Sequence, residues 1–146
     1  MHTTVQHILA RKIPGLVTIA PHASVFEALE RMAARDVGAV LVVDDEDADS
    51  VMGILSERDY ARKVILHHKS SREIPVSEIM SSPVVSVTPD HTLEQCMELV
   101  TGRRIRHLPV MDQGRLIGVV SIGDLVKAMF SEQDFKIRQL EGYITG

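Results

Sequence analysis

Two stretches of the chain bring a serine and an aspartate to the same spacing at the start of a helical pattern. These are GILSERDY and GVVSIGDL, which contain Ser56 with Asp59 and Ser121 with Asp124. A helix N-terminus carries unpaired backbone N–H groups and partial positive charge, so a Ser hydroxyl there can donate to a phosphate oxygen. An Asp one turn later can accept hydrogen bonds from the two hydroxyls of a ribose. The spacing therefore predicts phosphate and ribose recognition.

The same spacing is also that of a capping box. In a capping box the Ser and the acidic residue each accept a hydrogen bond from the other's backbone N–H, and no ligand is needed. The two roles are compatible, because a capping Ser can also bind a phosphate. The residues by themselves leave both interpretations open.

Basic residues precede a short apolar run in the segment RRIRHLP. Arg106 and His107 lie inside the strand pattern, and an Arg guanidinium suits bidentate recognition of phosphate. Arg103 and Arg104 also fit a solvated helix end, where basic side chains are favourable. We therefore predict that Arg106 and His107 contact an anion.

These residues belong to an internal repeat. VTIAPHASVFEALERM aligns with VSVTPDHTLEQCMELV, and VGAVLVVD aligns with IRHLPVMD. The two serine-containing stretches then fall on each other. Since repeats this small bury little surface alone, we expect them to pack together. The predicted organisation is repeat 1 at 1–66, a polar linker at 67–75, repeat 2 at 76–130, and a C-terminal helix or tail at 131–146.

Each repeat predicts the order strand, helix, strand, turn, strand, helix. Ser24 and Thr92 precede apolar residues at helical spacing and are suitable N-caps. The short apolar runs that follow, bounded by turns, are typical of buried strands. The fold class is α/β (α+β). A further helix at about 131–143 carries an imperfect apolar stripe for the core or a partner, formed by Phe135, Ile137, Leu140 and Ile144.

The paired units resemble cystathionine-beta-synthase (CBS) domains in the tandem arrangement called a Bateman module. The resemblance covers most of the chain and is carried by VSEIM, RIRHLPVMD, GVVSIGDL and their counterparts in the first repeat. It implies two repeats of the form β-α-β-β-α, with an adenosine nucleotide bound in clefts between them. AMP is the first expectation, and NAD(H), ADP, ATP and S-adenosylmethionine are alternatives. It also implies a homodimer forming a four-domain disk, and regulation of an unknown effector protein.

The resemblance further implies roles for single residues. In modules that bind AMP, the two residues before Leu-Pro-Val are often basic and reach the phosphate. The strand before the repeat's proline borders the ligand held by the other repeat, so Thr88 would face the site of Ser56 and Asp59, and Ala20 would face that of Ser121 and Asp124. Ordinary strand-end polarity is the alternative for the strand residues. The predicted nucleotide-binding residues are Thr18, Ala20, Ser56, Arg58, Asp59, Ser86, Thr88, Arg106, His107, Ser121 and Asp124.

The two predicted sites are not equivalent. Gly38 and Ala39 stand in the first repeat where the second has its basic pair. Arg58 lies between Ser56 and Asp59, where the second repeat has Gly123. One cleft is thus better supplied with phosphate ligands, and the other is expected to take a different ligand.

Other functions find little support in the sequence. A net charge of −4 argues against coating a nucleic acid. Cys96, on an apolar helix face, is expected to be a packed thiol. We predict no enzyme, because neither a nucleophile paired with a base nor a metal-ligand pattern is recognisable. With no signal sequence and no long apolar run, we expect a cytoplasmic protein that is not in a membrane. A ligand-independent dimerisation scaffold remains the alternative function.

Overall fold

The chain alternates helices and strands in two halves. The computed structural model describes residues 3–12, 16–68 and 70–145, with side chains up to residue 142. The first half contains α1 (Val5–Arg11), β1 (Thr18–Ile19), α2 (Val25–Arg35), β2 (Ala39–Val43), β3 (Val51–Ser56), α3 (Glu57–Lys63) and a 3-10 turn (Ile65–His67). The second half contains α4 (Val76–Ile79), α5 (Leu93–Arg103), β4 (His107–Asp112), β5 (Arg115–Ser121) and α6 (Ile122–Thr145).

The longer helix of each half begins at the predicted cap. Ser24 Oγ accepts from the backbone N–H of Glu27 at 3.1 Å at the start of α2. Thr92 Oγ1 accepts from the N–H of Gln95 at 3.2 Å, and Gln95 Oε1 accepts from the N–H of Thr92 at 2.9 Å. These bonds satisfy N–H groups that have no partner inside the helix. The predicted helix starts are confirmed.

The strands form a three-stranded sheet and a two-stranded sheet. β1 pairs in parallel with β2, and β2 pairs antiparallel with β3. In the second half, β4 pairs antiparallel with β5. The strand expected before Pro89 is reduced to a bridge at Val87, whose N–H donates to the carbonyl of Pro109 at 2.9 Å. The two repeats therefore share a plan but differ in the length of the first strand.

The first hydrophobic core draws on the segment that precedes the second repeat. Ile74, Val76 and Ile79 are buried in the same cluster as α2 and the first sheet. The backbone of this segment is also bonded to the first half, because the carbonyl of Ile74 accepts from the N–H of Val25 at 2.9 Å. Part of the polar linker is thus bonded to the start of α2.

The second core draws on α1 in the reciprocal way. Val5 and Ile8 are buried among the residues of α5, β4 and β5. The N–H of Val5 donates to the carbonyl of His91 at 2.9 Å, and the N–H of Leu93 donates to the carbonyl of Thr3 at 2.8 Å. Each repeat is completed by the leading segment of the other, so the cores do not follow the boundaries 1–66 and 76–130. The domain division itself stays a prediction about the sequence.

The repeated glycines mark the places where these exchanged segments approach the sheets. A Cβ on Gly53 of β3 would lie 2.6 Å from Met80 Sδ and 3.0 Å from the carbonyl oxygen of Ser81. A Cβ on Gly118 of β5 would lie 3.0 Å from a methyl carbon of Leu9. Each glycine therefore makes room for the segment that belongs, in sequence, to the other repeat.

The predicted C-terminal helix is present, but it is not separate from the last repeat helix, because α6 is one continuous helix of 24 residues. Its interior lacks proline, and its glycines lie near the two ends, so nothing stops it at Ser131. Phe135, Ile137 and Leu140 are exposed and do not join the core of this chain. Ile144 belongs to the side chains outside the described part. Over the described residues, no helix has the length and apolar character that crossing a bilayer would require.

Candidate functional site

The larger cleft lies between the two halves and has a volume of about 730 Å³. We call it the Ser56 cleft. One side is formed by the end of β3 and by α3, and the other by the chain before Val87 and by the start of β4. Its lining residues are Ile54, Ser56, Arg58, Asp59, Arg62, Lys63, Ser81, Pro83, Val84, Val85, Val100, Arg104, Ile105, Arg106, His107 and Ile122.

Ser56 and Asp59 form a complete capping box at the start of α3. Ser56 Oγ accepts from the N–H of Asp59 at 3.2 Å, and Asp59 Oδ2 accepts from the N–H of Ser56 at 3.0 Å. Asp59 Oδ1 also accepts from Ser81 Oγ at 3.1 Å and lies 3.5 Å from Lys63 Nζ. The capping interpretation is thus confirmed, while one carboxylate oxygen stays directed at polar groups of the cleft wall.

Positive charge converges on this cleft from both halves. Arg58 and Arg62 of α3 face Arg104, Arg106 and His107 of the second half. The charge of Arg62, followed by that of Arg106, lowers the pKa of Arg58. Among the described residues that line the cleft, Asp59 supplies the carboxylate and five side chains are lysine or arginine. Such a concentration of like charge is relieved when an anion binds.

A second, smaller cleft lies around the start of α6 and has a volume of about 310 Å³. We call it the Ser121 cleft. Asp124 Oδ2 accepts from the N–H of Ser121 at 2.8 Å, and Ser121 Oγ accepts from the N–H of Asp124 at 3.1 Å. The cap geometry therefore repeats that of the first cleft. Its lining residues are Lys12, Val17, Asp36, Val37, Gly38, Ala39, Leu41, His107, Val119, Ser121 and Asp124.

The aspartate of the Ser121 cleft is already paired. Lys12 Nζ donates to Asp124 Oδ2 at 2.8 Å and to the carbonyl of Val119 at 2.8 Å. Burial raises the pKa of the Asp124 carboxyl, but the hydrogen bonds from Lys12 and Ser121 and the charge of Lys12 outweigh it and hold that pKa below its usual range. The two clefts thus share a cap and differ in the partner of the carboxylate.

The matching walls of the two clefts carry different charge. Arg104 ends α5 in the left-handed conformation, with φ of 53°, and Asp36 ends α2 with the same φ. Each lines a cleft, one with a cation and the other with an anion. Gly38 and Ala39 line the Ser121 cleft in place of the basic pair of β4. The expected difference between the clefts is therefore visible in charge and in volume.

His107 lines both clefts, from the start of β4. Burial, followed by smaller opposing effects of nearby charges, lowers the pKa of the imidazole. Asp124 and Asp59 act to raise that pKa, and Lys12 and Arg106 act to lower it. One neutral side chain thus stands between the aspartates of the two clefts.

The structure brings together most of the predicted residues. Ser56, Arg58, Asp59, Arg106 and His107 line the larger cleft, and Ser121 and Asp124 line the smaller one with His107. Arg106 and His107 are neighbours in sequence, yet both reach the same cleft, because Arg106 precedes the first residue of β4 and does not obey strand alternation.

Four predicted residues lie elsewhere. Thr18, Ala20, Ser86 and Thr88 are not among the described residues that line either cleft. Thr88 turns toward His91, whose Nδ1 accepts from the Thr88 N–H at 2.9 Å, and Ser86 is exposed. The clefts meet the chain earlier, at Val17, Val84 and Val85. The described lining of the two clefts thus does not include Thr88 or Ala20, and their contact with a ligand stays a prediction.

Several lining residues were not predicted as site residues. Arg62 and Lys63 follow Asp59 by three and four positions on α3, a spacing that places them on the same face, so the sequence held this signal. Arg104 was interpreted as a solvated helix end, and its left-handed backbone directs it into the cleft instead. Lys12 carried no local signal, because its partner lies 112 residues away.

The chain matches a known protein family. The CBS domain family model matches residues 5–66 and 76–131. CBSX3, a mitochondrial CBS domain-containing protein of Arabidopsis thaliana, is 38% identical over 125 residues, which are 84% of this chain and 61% of that protein. The chain thus spans less than two thirds of CBSX3.

Solved structures show the same fold. A protein with CBS domains from Burkholderia ambifaria superposes with a TM-score of 0.82 at 46% identity, over 90% of this chain and 96% of that one. PAE2072 of Pyrobaculum aerophilum, a CBS domain protein complexed with AMP, superposes with a TM-score of 0.74 at 25% identity, over 83% and 88% of the two chains.

Proposed function

We propose that this chain, which belongs to the CBS domain family as a tandem pair of repeats, is a regulatory module that binds an adenosine nucleotide in the Ser56 cleft. One observation carries the proposal. Arginines from both halves converge on a cleft of about 730 Å³ that also holds a capped Ser and Asp. That volume lies within the usual range of small-molecule sites.

The phosphate is assigned to the basic wall. Arg106 and Arg58 approach the cleft from opposite halves, and His107 lies next to Arg106. The start of α3 adds partial positive charge next to Ser56. A nucleotide phosphate would thus neutralise charges that now repel one another.

The ribose and the base are assigned to the remaining walls. Asp59 Oδ1 already accepts from a hydroxyl, that of Ser81, and a ribose hydroxyl would bind it in the same way. Val84, Val85 and Ile105 provide an apolar surface for the adenine. AMP is the proposed ligand, supported by the AMP complex of PAE2072. ADP, ATP, NAD(H) and S-adenosylmethionine are the alternatives, all sharing adenosine.

Titration calorimetry with AMP on variants at Asp59 tests this proposal. Asp59→Ala removes both the cap and the ribose acceptor, so we expect loss of binding and a cap-sized loss of stability of about 1 kcal/mol. Asp59→Glu is the matched control, because Glu at this position also closes a capping box. It should keep the stability and lower the affinity at least tenfold, since the carboxylate moves.

GMP is the control for the base, and the wild type should bind it far more weakly than AMP. If Asp59→Ala binds AMP as the wild type does, the cleft assignment is wrong. If AMP and the other adenosine compounds all fail to bind protein freed of copurified nucleotide, the scaffold function replaces the sensor function.

The ligand-independent scaffold is a second candidate function, because both Ser and Asp pairs form complete caps without a ligand.

Regulation rests on mass action: a ligand at a hundredfold excess over its dissociation constant stabilises the bound arrangement by about 2.7 kcal/mol. We further propose that the module catalyses nothing itself and acts on a separate effector protein. A cytoplasmic location stays a prediction, and the name of CBSX3 places that relative in mitochondria.

A further inference from the structure

The carboxylates of the two clefts differ in what occupies them, although their caps are alike. Asp59 Oδ1 accepts from the hydroxyl of Ser81 at 3.1 Å and lies 3.5 Å from the ammonium of Lys63. Asp124 meets an ammonium at 2.8 Å. A ribose hydroxyl can replace the Ser81 hydroxyl at Asp59 without separating charges. To bind Asp124, it would have to displace the ammonium of Lys12 and break a close ion pair.

Lys12 is held in place from two sides. Its ammonium bonds both the carboxylate of Asp124 and the carbonyl of Val119, and the side chains of Lys12 and Asp124 are each only 22% exposed. Lys12 follows directly after α1, and α1 is anchored in the second core by Val5 and Ile8. The packing of α1 therefore fixes the backbone of Lys12 next to the Ser121 cleft.

The rest of the Ser121 cleft does little to attract an anion in compensation. Among the described residues that line it, the basic ones are Lys12 and His107, and Asp36 adds a second carboxylate to that of Asp124. Burial lowers the pKa of His107, so the imidazole carries little charge at neutral pH. A nucleotide entering here would have to separate the Lys12–Asp124 pair without the guanidinium cluster of the other cleft.

We propose that Lys12 is a specificity-determining residue that occupies the ribose acceptor of the Ser121 cleft and so limits the chain to one nucleotide, bound in the Ser56 cleft. This inference rests on the proposed function of the Ser56 cleft. It assigns the difference between the clefts to a contact within the chain, in addition to the difference in their basic residues.

The test is the stoichiometry of AMP binding by titration calorimetry. Lys12→Met keeps the length of the side chain and removes the ammonium, and Lys12→Gln retains a donor for the Val119 carbonyl if the first variant folds poorly. The matched control is Lys127→Met, since Lys127 lies exposed on α6 one turn after Asp124 and lines neither cleft. We expect one AMP per chain for the wild type and the control, and two for both Lys12 variants.

Two further arms identify the gained site. Lys12→Met combined with Asp59→Ala should bind one AMP, at the Ser121 cleft. The gained site should bind 2′,3′-dideoxy-AMP at least tenfold more weakly than AMP, because the released carboxylate recognises the ribose hydroxyls.

The outcomes separate this inference from the proposed function. Two AMP sites in the wild type, or a single site in both Lys12 variants, would overturn the role of Lys12 and leave the Ser56 cleft intact. A wild type that binds no AMP while Lys12→Met binds one would overturn the Ser56 site and support the occupation of Asp124 by Lys12. If no variant binds AMP, both proposals fail.

Discussion

His107 stands between Asp59 and Asp124, and burial lowers its pKa below the usual 6.5. The unfolded chain therefore takes up a proton at this residue at a higher pH than the folded chain does. Where the unfolded state binds more protons, stability rises with pH. The contribution of neutral His107 to the free energy of unfolding is thus fully present above about pH 6.5. It is lost as the pH falls toward the lowered pKa that His107 has in the folded state.

We expect the free energy of unfolding of the wild type to fall between pH 7 and pH 5 more steeply than that of His107→Gln. Urea unfolding at half-unit steps of pH measures both curves, and their difference isolates His107 from the other histidines. His67→Gln is the control, at an exposed side chain of the 3-10 turn, and its curve should run parallel to that of the wild type. Parallel curves for His107→Gln and the wild type would contradict the buried, neutral state of this imidazole.

At the scale of elements, the two glycines of the repeated stretch reveal how the halves interlock. Met80 and Ser81 approach Gly53 closely, and Leu9 approaches Gly118, at the positions where a Cβ would lie. A backbone oxygen at 3.0 Å from the new Cβ yields less easily than a methyl group. The approach at Gly53 is therefore the more demanding one.

Gly53→Ala should destabilise the protein by about 1–3 kcal/mol, because the added methyl group overpacks the contact with the 80–81 segment. Gly38→Ala is the matched control, since a Cβ there meets nothing within 4 Å and its φ is not in the left-handed region. Gly118→Ala should fall between the two. Urea unfolding gives all three values, and a Gly53→Ala variant as stable as Gly38→Ala would rule out the close approach.

At the scale of the whole molecule, α6 presents an apolar stripe that the described residues leave exposed. Phe130 is 68% exposed and Leu140 is 65% exposed, and Val126 and Ile137 follow the same face at helical spacing. Phe135 lies about half a turn away from this face, which corrects the stripe expected from the sequence. We propose that this stripe contributes to the expected homodimer.

Light scattering after size-exclusion chromatography should give the wild type twice the mass of one chain. Replacing Phe130 and Ile137 by Glu should yield monomers, because each charge would be buried at an apolar contact. Phe135→Glu is the matched control and should remain dimeric. A monomeric wild type, or a dimeric double variant, would contradict an interface on this face of α6.

The sequence by itself determined the features that depend on neighbouring residues. The caps at Ser24 and Thr92 and the Ser56–Asp59 and Ser121–Asp124 spacing are local patterns, and the paired repeats appear when the sequence is aligned with itself. Hydrogen bonds over three residues and helical periodicity need no knowledge of the distant chain. These patterns predicted the α+β class and the residues of both clefts that belong to the caps and to the basic segment, and the resemblance to CBS domains predicted the family.

The tertiary structure decided what joins distant parts of the chain. It exchanged α1 and α4 between the cores, turned Arg104 into the Ser56 cleft, left Thr88 outside it, and brought Lys12 to Asp124 across 112 residues. Such contacts depend on where packed elements place their ends, and no local pattern encodes that position. The physical reason is that burial of apolar area is nondirectional, so the partner of each element is selected only when the whole core is assembled.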